Sequence, residues 1–305
     1  MVAAVTIAVT GGTGFVGSRF IDIAVQAGQQ VHALTRRPQE SRDCVTWVEG
    51  SLEDSDSLRR LVTGCTSLVH IAGVINARDP KDFERGNVDG TLAMLAAATA
   101  AGITRFVHVS SLAAREPKLS RYGASKARSE ELVQRSGLDW AIVRPPAVYG
   151  PGDRETLELF RMAKLRVMLL PPHGRVSLIH VDDLSRLLLA LAQSDEPSRI
   201  VLEPDDGRNG GWTHKELAKA IGAAVGKANL SLSMPGKMLR LGAVVDQLVR
   251  RERAKLSADR AAYFSHSDWA VSPDLRPSPT LWQPQVDSED GLRRTAEWYR
   301  EQRWL

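Results

Sequence analysis

Cysteine is scarce in this chain of 305 residues, and neither sign of charge is concentrated in one stretch. The two cysteines, Cys44 and Cys65, fit neither a disulfide framework nor a metal site, which favours a reducing compartment. The 40 basic and 36 acidic residues give a net charge of only +4 and are scattered along the chain. A nucleic-acid partner is therefore not expected.

Long hydrophobic runs, internal repeats and low-complexity tracts are also absent. No apolar run approaches the roughly 18 residues that a membrane helix needs, so no membrane partner is expected. Residues 1–3 lead directly into the first predicted strand, so no signal peptide is expected and we predict a cytoplasmic protein. With 43% hydrophobic residues, the chain can bury the core of one large domain or of a main and a smaller domain.

A glycine-rich turn stands between an apolar run, residues 3–9, and a helical pattern, residues 18–27. Its glycines fit both the G-x-x-G-x-x-G and the G-x-G-x-x-G spacing. Glycine has no Cβ, so its backbone can approach a pyrophosphate closely, while the helix N-terminus offers free N–H groups. The sequence therefore predicts a dinucleotide-binding turn, whose contact residues are Gly11, Gly14, Phe15, Val16 and Gly17.

Strands and helices alternate through the first half of the chain. The predicted strands are residues 3–9, 30–34, 45–48, 67–71, 105–109 and 140–144. The predicted helices between them are residues 18–27, 55–63, 87–101 and 121–136. Continuous apolar strands that alternate with helices predict an α/β fold, a Rossmann-type doubly wound parallel sheet.

After residue 151 this rhythm breaks. The predicted helices there are residues 156–165, 182–193, 212–226, 237–256 and 288–302, and the predicted strands are 176–180 and 198–203. We predict that residues 1–150 form an NADP(H)-binding Rossmann domain, to which residues 176–203 return. Residues 151–175 and 204–305 mainly form a smaller, partly interleaved C-terminal substrate lobe, the other wall of a cleft.

The end of the second predicted strand distinguishes the two nicotinamide cofactors. An acidic residue there binds the ribose 2′-hydroxyl of NAD, whereas an arginine accommodates the 2′-phosphate of NADP. Here the strand runs into Leu34-Thr35-Arg36-Arg37, with no acid in the turn. A guanidinium binds phosphate through two hydrogen bonds, so we predict NADP(H) rather than NAD(H). Arg36 is the predicted phosphate ligand and Arg37 supports it.

Tyr122 and Lys126 form a Y-x-x-x-K pair at the start of a predicted helix, where a spacing of four places both side chains on one face. An ammonium beside a phenol favours the phenolate, so the pair predicts a lowered pKa for Tyr122 and a role in proton transfer. The preceding strand ends in Ser110-Ser111, and the carboxyl end of a parallel strand faces the ligand crevice. Tyr122 and Lys126, with a hydroxyl of this serine pair, are therefore the predicted catalytic residues, and the family resemblance described next implies that the serine is Ser111.

The order of these motifs resembles the extended short-chain dehydrogenases/reductases of the NAD(P)-dependent epimerase/dehydratase family. The matching stretches are TGGTGFVG (10–17), VHIAG (69–73), NVDGT (87–91), VSS (109–111), YGASK (122–126), RPPAVYGPG (144–152) and IHVDD (179–183). The closing stretch GLRRTAEWY (291–299) is similar as well. Several motifs in the family's order are far more specific than any one of them.

The resemblance implies a role for each matching residue. Tyr122 would be the general acid/base, Lys126 would hold the nicotinamide ribose, and Ser111 would hydrogen-bond the substrate oxygen. Asn87 would brace the helix that faces the site. The further implied cofactor contacts are Ser110, Ile71, Ala72, Gly73, Pro145 and Pro146.

Departures from the family's pattern bear on both cofactor and substrate. Ser51-Leu52, expected to contact the adenine, stands where the family often has Asp-Leu. Nucleotide-sugar enzymes of the group commonly place an arginine where this chain has Val176, and the neighbouring Arg175 points to the opposite face of a strand. This argues against a nucleotide-sugar substrate. The candidate substrate contacts are Val74, Tyr149, His173 and Arg175.

The acidic residues beside His180 indicate a helix start rather than a metal site. Asp182 and Asp183 follow the histidine at the N-terminus of a predicted helix, where negative charge is stabilising. No metal is expected.

The sequence therefore predicts an NADP(H)-dependent oxidoreductase that acts on a small carbonyl or alcohol substrate by hydride transfer, with Tyr122 as proton donor or acceptor. A nucleotide-sugar epimerase or dehydratase shares every catalytic residue and is an alternative. A non-catalytic NADP-binding scaffold or sensor is another. The family often dimerises through the helices that here span residues 87–101 and 121–136, which a homodimer of this chain would use.

Overall fold

A computed structural model describes residues 5–77, 79–170, 173–194, 196–233 and 266–305. Its strands are β1 Thr6–Thr10, β2 Gln30–Thr35, β3 Val45–Glu49, β4 Ser67–His70, β5 Arg105–Val109, β6 Asp139–Val143, β7 Ala147–Tyr149, β8 Val167–Leu170, β9 Arg175–Val176, β10 Leu178–His180, β11 Ile200–Leu202, β12 Trp212–Thr213, β13 Leu230–Ser233 and β14 Asp268–Trp269. Its helices are α1 Phe15–Gln26, α2 Ser55–Val62, α3 Pro80–Phe83, α4 Gly90–Ala100, α5 Arg121–Gln134, α6 Leu157–Lys164, α7 Val181–Gln193, α8 His214–Ala224 and α9 Ser288–Glu301.

Seven of these strands form one parallel sheet in the order β11-β6-β5-β4-β1-β2-β3. Helices join successive strands of this sheet except between β2 and β3, because parallel neighbours need a crossover, which is usually a helix. The strand order reverses between β1 and β4, and such a switch point opens a crevice at the carboxyl ends of the strands. The predicted α/β fold with a doubly wound sheet is confirmed.

Both faces of this sheet are buried under helices. Neighbouring residues of a strand point to opposite faces, so Ala8 and Val9 of β1 enter different cores. Val9 lies in one core with Phe20 of α1 and Leu187 of α7, and Ala8 lies in the other with Met94 of α4. Each large apolar side chain buried in this way contributes about 1.5–3 kcal/mol.

The chain beyond β6 builds a second region and also returns to the sheet. In the second region β7 pairs with β10, β8 pairs with β13, and β9 lies between β12 and β14. Helices α6, α8 and α9 enclose a core that includes Phe160, Ile221 and Tyr299. The chain re-enters the main sheet at β11, which runs parallel to β6, and α7 packs against α1.

The predicted elements up to β6 end within three residues of the observed ones. The helix predicted at residues 87–101 begins with a π-helical turn, Glu84–Asp89, before α4. The strand predicted at residues 176–180 is divided between β9 and β10, which have different partners. The helix predicted at residues 237–256 lies outside the described residues. Among the helices that the structure describes, none is long and apolar enough to cross a membrane.

Candidate active site

The glycine turn between β1 and α1 has a backbone that larger residues could not adopt. Gly11 has a φ of 74°, and a Cβ there would lie 2.7 Å from the backbone nitrogen of Ala72. A Cβ on Gly17 would lie 2.1 Å from the carbonyl oxygen of Gly11. Gly14 caps α1 without a side-chain hydrogen bond, so the first N–H groups of the helix stay available to an anion. This cradle fits the pyrophosphate of a dinucleotide.

A chain of buried polar side chains joins β4 to β1. Oγ1 of Thr10 lies 2.7 Å from Nδ1 of His70, whose Nε2 lies 3.2 Å from Oγ1 of Thr91. Burial, together with the charge of Lys126, lowers the pKa of His70 to about 3, so the imidazole is neutral. Thr10 Oγ1 also accepts a hydrogen bond from the N–H of Ala72. The loop after β4, predicted to contact the cofactor, is thereby held against the glycine turn.

Asn87 ties the same loop to helix α5. It lies in the π-helical turn before α4, and such turns are frequent at functional sites. Its side chain accepts a hydrogen bond from the N–H of Val74 and donates to the Val74 carbonyl and to Ser125 Oγ, at 2.7, 3.0 and 2.8 Å. A Cβ on Gly73 would lie 2.9 Å from Asn87 Oδ1 and 3.3 Å from Lys126 Nζ. The loop after β4 and helix α5 therefore meet at this asparagine.

Ser111 and Tyr122 interact through their hydroxyl groups beside the end of β5. Ser111 caps the 3₁₀ turn Leu112–Arg115, where its Oγ accepts a hydrogen bond from the N–H of Ala113 at 3.2 Å. Helix α5 lies directly against this turn, since a Cβ on Gly123 would be 2.5 Å from the Ala113 carbonyl oxygen. A side chain at position 123 would push α5 away from this turn, so the contact between Ser111 and Tyr122 depends on Gly123.

Lys126 lies one turn further along α5 and is 3% exposed. Its Nζ donates a hydrogen bond to the carbonyl oxygen of Val109 at 2.8 Å. Phe83 packs on the ring of Tyr122, with the ring centres 6.3 Å apart. The three residues predicted to be catalytic are therefore brought together at the carboxyl end of β5.

Burial shifts the pKa values of both titratable residues of this group. Desolvation raises the pKa of Tyr122, and the hydrogen bond with Ser111 offsets this only in part. The lowering expected from Lys126 is not observed, because burial dominates and the ammonium donates to a backbone carbonyl. Burial lowers the pKa of Lys126 to about 8, against the opposing effect of the Glu130 carboxylate. Near neutral pH, Tyr122 is a neutral phenol and Lys126 is mostly a cation.

Four charges of alternating sign run beneath the site from α5 to the second region. Glu130 holds Arg144 by hydrogen bonds of 2.6 and 2.9 Å, and Arg144 lies 3.4 Å from Glu203. Glu203 lies 3.4 Å from Arg115, which also donates to backbone carbonyls at β14 and just after it. Glu130 accepts a further hydrogen bond of 2.5 Å from Ser110 Oγ. The hydroxyl of Ser110, a predicted cofactor contact, is therefore engaged with this chain of charges.

Sequence reasoning assigned no role to these four charged residues. Glu130 follows Lys126 by four positions in one helix, and that spacing could have indicated a shared buried face. The contact between Arg115 and Glu203 joins residues 88 positions apart, so no local pattern reveals it.

The remaining predicted cofactor residues all follow strands at the same edge of the sheet. Arg36 and Arg37 follow β2 with exposed side chains, and within the described part of the chain no carboxylate forms a salt bridge with either. The others are Ser51 and Leu52 after β3, Ile71 after β4, and Pro145 and Pro146 after β6.

Tyr149, predicted to contact substrate, lies in the core instead of the cleft. It is 1% exposed, its hydroxyl donates to the carbonyl oxygen of Ser288 at 3.4 Å, and its ring packs edge-on against His180. Helix α9 covers it closely, since a Cβ on Gly291 would be 2.7 Å from the tyrosine hydroxyl. The packing of α9 on β7 therefore removes Tyr149 from any surface that a substrate could reach.

The other substrate candidates are divided between the lobe and the cleft. His173 and Arg175 are exposed, and Arg175 donates to the carbonyl oxygen of Gly210 at 2.9 Å. Val74 is half-buried and adjoins the catalytic helix through Asn87. Of the four candidates, Val74 is the one that hydrogen bonds through Asn87 connect to the helix of the predicted catalytic residues.

His180 and its acidic neighbours have structural partners. His180 Nδ1 accepts a hydrogen bond from the N–H of Asp182 and so caps α7. Asp183 accepts hydrogen bonds from the backbone N–H groups of Gln285 and Val286. In the part of the chain that the structure describes, no group of three or more His, Cys, Asp or Glu side chains is arranged to hold a metal ion.

Several known proteins are similar to this chain in sequence or in fold. The profile of the NAD dependent epimerase/dehydratase family matches residues 7–202. The chain is 37% identical to a ceramide reductase of Caulobacter vibrioides, over 98% of this chain and 96% of that protein. It is 23% identical to a UDP-glucose 4-epimerase of Vibrio cholerae, over 96% and 94%. The solved structure of WbmG of Bordetella bronchiseptica in complex with NAD is similar with a TM-score of 0.74, at 19% identity, over 98% and 95% of the two chains.

The fold, the glycine cradle and the grouped Ser111, Tyr122 and Lys126 define an NAD(P)-binding oxidoreductase of the extended short-chain dehydrogenase/reductase class. The chain belongs to the NAD dependent epimerase/dehydratase family. It is accordingly an NAD(P)-dependent oxidoreductase or epimerase/dehydratase.

Proposed function

We propose that the protein is an NADP(H)-dependent carbonyl reductase, working reversibly as an alcohol dehydrogenase. The likeness to a ceramide reductase along 98% of this chain carries this proposal, together with Ser111 after β5 and Tyr122 and Lys126 on α5, all beside the glycine cradle. A bound nicotinamide would supply or accept the hydride. The protein's own residues would bind the substrate oxygen, move one proton and exclude water.

The protonation state of Tyr122 suits reduction in particular. Because its pKa is raised, the phenol keeps its proton near neutral pH and can donate that proton to a substrate oxygen that becomes an alkoxide. Ser111 hydrogen-bonds with Tyr122 and would orient the same oxygen. The ammonium of Lys126, buried next to Gly73 and Asn87, would hold the ribose hydroxyls of the cofactor. The side chains of Ser111, Tyr122 and Lys126, together with the cofactor, would therefore be sufficient for the reduction.

Two exposed arginines support NADP(H) as the cofactor. Arg36 and Arg37 follow β2, the position at which the 2′-substituent of the adenosine ribose is recognised. Since no acid stands in this turn, a 2′-phosphate would meet two guanidinium groups without repulsion.

The substrate that we propose is an aliphatic carbonyl compound of lipid type, larger than the small substrate expected from the sequence. The likeness to a ceramide reductase extends along 98% of this chain and supports this choice. Ile75 is 56% exposed and directly follows Val74, which Asn87 fixes beside the catalytic helix. An apolar side chain at the edge of the cleft suits an alkyl chain better than a sugar hydroxyl.

A nucleotide-sugar epimerase is the second candidate, because a UDP-glucose 4-epimerase aligns with 96% of this chain. The test is NADPH oxidation with long-chain 3-oxo amides and simple ketones, run beside thermal-shift measurements with UDP-glucose and dTDP-glucose. We expect NADPH consumption with an oxo-lipid and no shift with either sugar nucleotide. A clear shift with a sugar nucleotide, and no turnover of any ketone, would replace the reductase with the epimerase. NADPH binding without turnover of any compound would instead favour the non-catalytic scaffold.

A further inference from the structure

An apolar patch lies on the surface of the second region. Strands β8 and β13 pair in parallel, with Val167 opposite Leu230. Met168 is buried against the core, whereas Val167 is 38%, Leu230 62% and Leu232 44% exposed. Leu165, in the turn before β8, is 77% exposed. These four exposed side chains, Leu165, Val167, Leu230 and Leu232, form the β8–β13 patch. Large exposed apolar side chains grouped on neighbouring strands in this way mark an interaction surface.

Positive charge borders the β8–β13 patch. Lys164, Arg166 and Lys227 are exposed, and no carboxylate of the described ranges forms a salt bridge with any of them. Arg161 pairs with Glu158, and beyond that pair residues 162–170 contain two basic residues, residues 219–233 contain two, and neither stretch contains an acidic residue. The whole chain, by contrast, is nearly balanced, with 40 basic and 36 acidic residues. The positive charge beside the patch is therefore a local feature.

The β8–β13 patch combines apolar side chains with unpaired cations, and an anionic membrane surface complements both features. An anionic lipid bilayer offers phosphates at the depth of the lysine ammonium groups and hydrocarbon just below them. A second copy of the chain fits less well, because a two-fold contact would bring the same cations face to face.

We propose that the β8–β13 patch docks the protein on the surface of an anionic membrane. Its leucines enter the interface, and its lysines and arginine lie among the headgroups. Docking on a membrane surface does not require a membrane-spanning helix. The proposal therefore differs from the expectation, based on the lack of long apolar runs, that the chain has no membrane partner. The docking stands on the patch alone and goes beyond the proposed reductase activity, although an enzyme held there would meet lipid substrates where they reside.

The test is co-sedimentation of the full chain with vesicles of phosphatidylcholine mixed with phosphatidylglycerol, against pure phosphatidylcholine vesicles. We expect binding to the anionic vesicles only, and a decrease as salt is added. Leu230→Ser/Leu232→Ser should abolish sedimentation. Lys164→Gln/Lys227→Gln should weaken partitioning by about fivefold for each charge removed. The matched control Lys81→Gln/Lys215→Gln removes two exposed lysines elsewhere and should leave binding unchanged.

NADPH binding and turnover of a water-soluble ketone, measured for each variant, separate docking from folding and from the proposed reaction. Patch variants should keep both properties. Equal binding to neutral and anionic vesicles, or an equal loss in the control variant, would overturn the proposal. Analytical ultracentrifugation provides the other decisive outcome. If the leucine variant turns a dimer into a monomer while the wild type ignores vesicles, the patch is a contact between copies and not a membrane surface.

Discussion

Tyr122 and Lys126 lie one helical turn apart, and burial drives each of them toward its neutral form. For the phenol this means a raised pKa and a proton retained near neutral pH. For the ammonium it means a pKa of about 8, so a modest rise in pH removes its charge. In the proposed reaction Tyr122 would therefore donate a proton near neutral pH, and loss of the charge of Lys126 would limit the reaction at alkaline pH.

Replacing Tyr122 by phenylalanine tests the proton transfer directly. The ring that packs on Phe83 is kept, so folding and NADPH binding should be unchanged. Loss of the proton donor should lower kcat by about 100- to 10,000-fold. Stopped-flow turnover and fluorescence titration with NADPH measure the two quantities separately, and a fully active variant would remove Tyr122 from the mechanism.

The pH dependence of kcat/KM should show the titration of the Lys126 ammonium. In the proposed mechanism the ammonium form of Lys126 is the active one, so we expect the rate to fall as pH rises through about 8. Glu130 raises the pKa of this lysine, so Glu130→Gln should lower that pKa and move the alkaline limb to lower pH. The neighbouring exposed Glu131→Gln is the control and should leave the profile in place. Identical profiles for both variants would contradict the assignment.

Arg36→Ser should weaken NADPH binding by about 10- to 100-fold, because hydrogen bonds to a charged phosphate contribute about 1.5–3 kcal/mol. NADH carries no 2′-phosphate, so its affinity should stay the same. Arg37→Ser, which removes the supporting arginine, should have the smaller effect. Calorimetric titration of both cofactors measures these changes, and wild-type affinities that are equal for NADPH and NADH would refute the NADP(H) proposal.

Among the elements, the turn from β1 to α1 allows the sharpest comparison. A Cβ at Gly17 would lie 2.1 Å from the Gly11 carbonyl, whereas one at Gly14 would lie 3.3 Å from the same atom. Gly17→Ala should therefore destabilise the fold by about 1–3 kcal/mol and abolish cofactor binding. Gly14→Ala should have a much smaller effect on both the stability of the fold and cofactor binding. Urea denaturation and NADPH titration of the two alanine variants provide the measurement; equal effects would mean that packing at this turn does not control the cradle.

Elements with continuous apolar runs were predictable from the sequence. The strands of residues 105–109 and 30–34 match β5 and β2 because each is buried on both faces and bounded by turn residues. Tyr122 and Lys126 were predictable for a similar reason, since the spacing within one helix determines that they share a face.

Elements that depend on distant partners were not predictable. The two-residue strands β9, β12 and β14 exist only because each pairs with a segment far along the chain. Tyr149 shows the same limit for a side chain, because local pattern does not reveal that α9 packs over it. The hydrogen bond between Ser110 and Glu130 could not be foreseen either, since the serine's neighbour Ser111 carries the same hydroxyl in the same strand end.

At the scale of the whole molecule, Arg115 and Glu203 join the turn that carries Ser111 to the second region. Glu203 is fully buried and accepts hydrogen bonds from Arg115, Arg144 and the N–H of Ser272. The second region is therefore connected to the turn after Ser111 through charged side chains. Such buried groups are costly to leave without a partner.

Arg115→Ala should destabilise the protein by up to about 3 kcal/mol, because it leaves part of a buried carboxylate without its counterion. The turn that holds Ser111 should also loosen, which raises KM. Arg59→Ala is the matched control: its pair with Asp56 is 69% and 66% exposed, and it should cost less than about 1 kcal/mol. Thermal unfolding and steady-state kinetics test both variants, and equal melting temperatures would contradict a role for the buried pair.

The return of the chain through α7 and β11 limits how this enzyme could be re-engineered. A truncation after β6, or a graft there that brings no equivalent of α7 and β11, would remove both elements together with the second region. That cut would expose the core around Val9 and turn β6 into an open edge strand, a template for aggregation. A transplant of substrate specificity must therefore graft two separate segments and leave α7 and β11 in place between them.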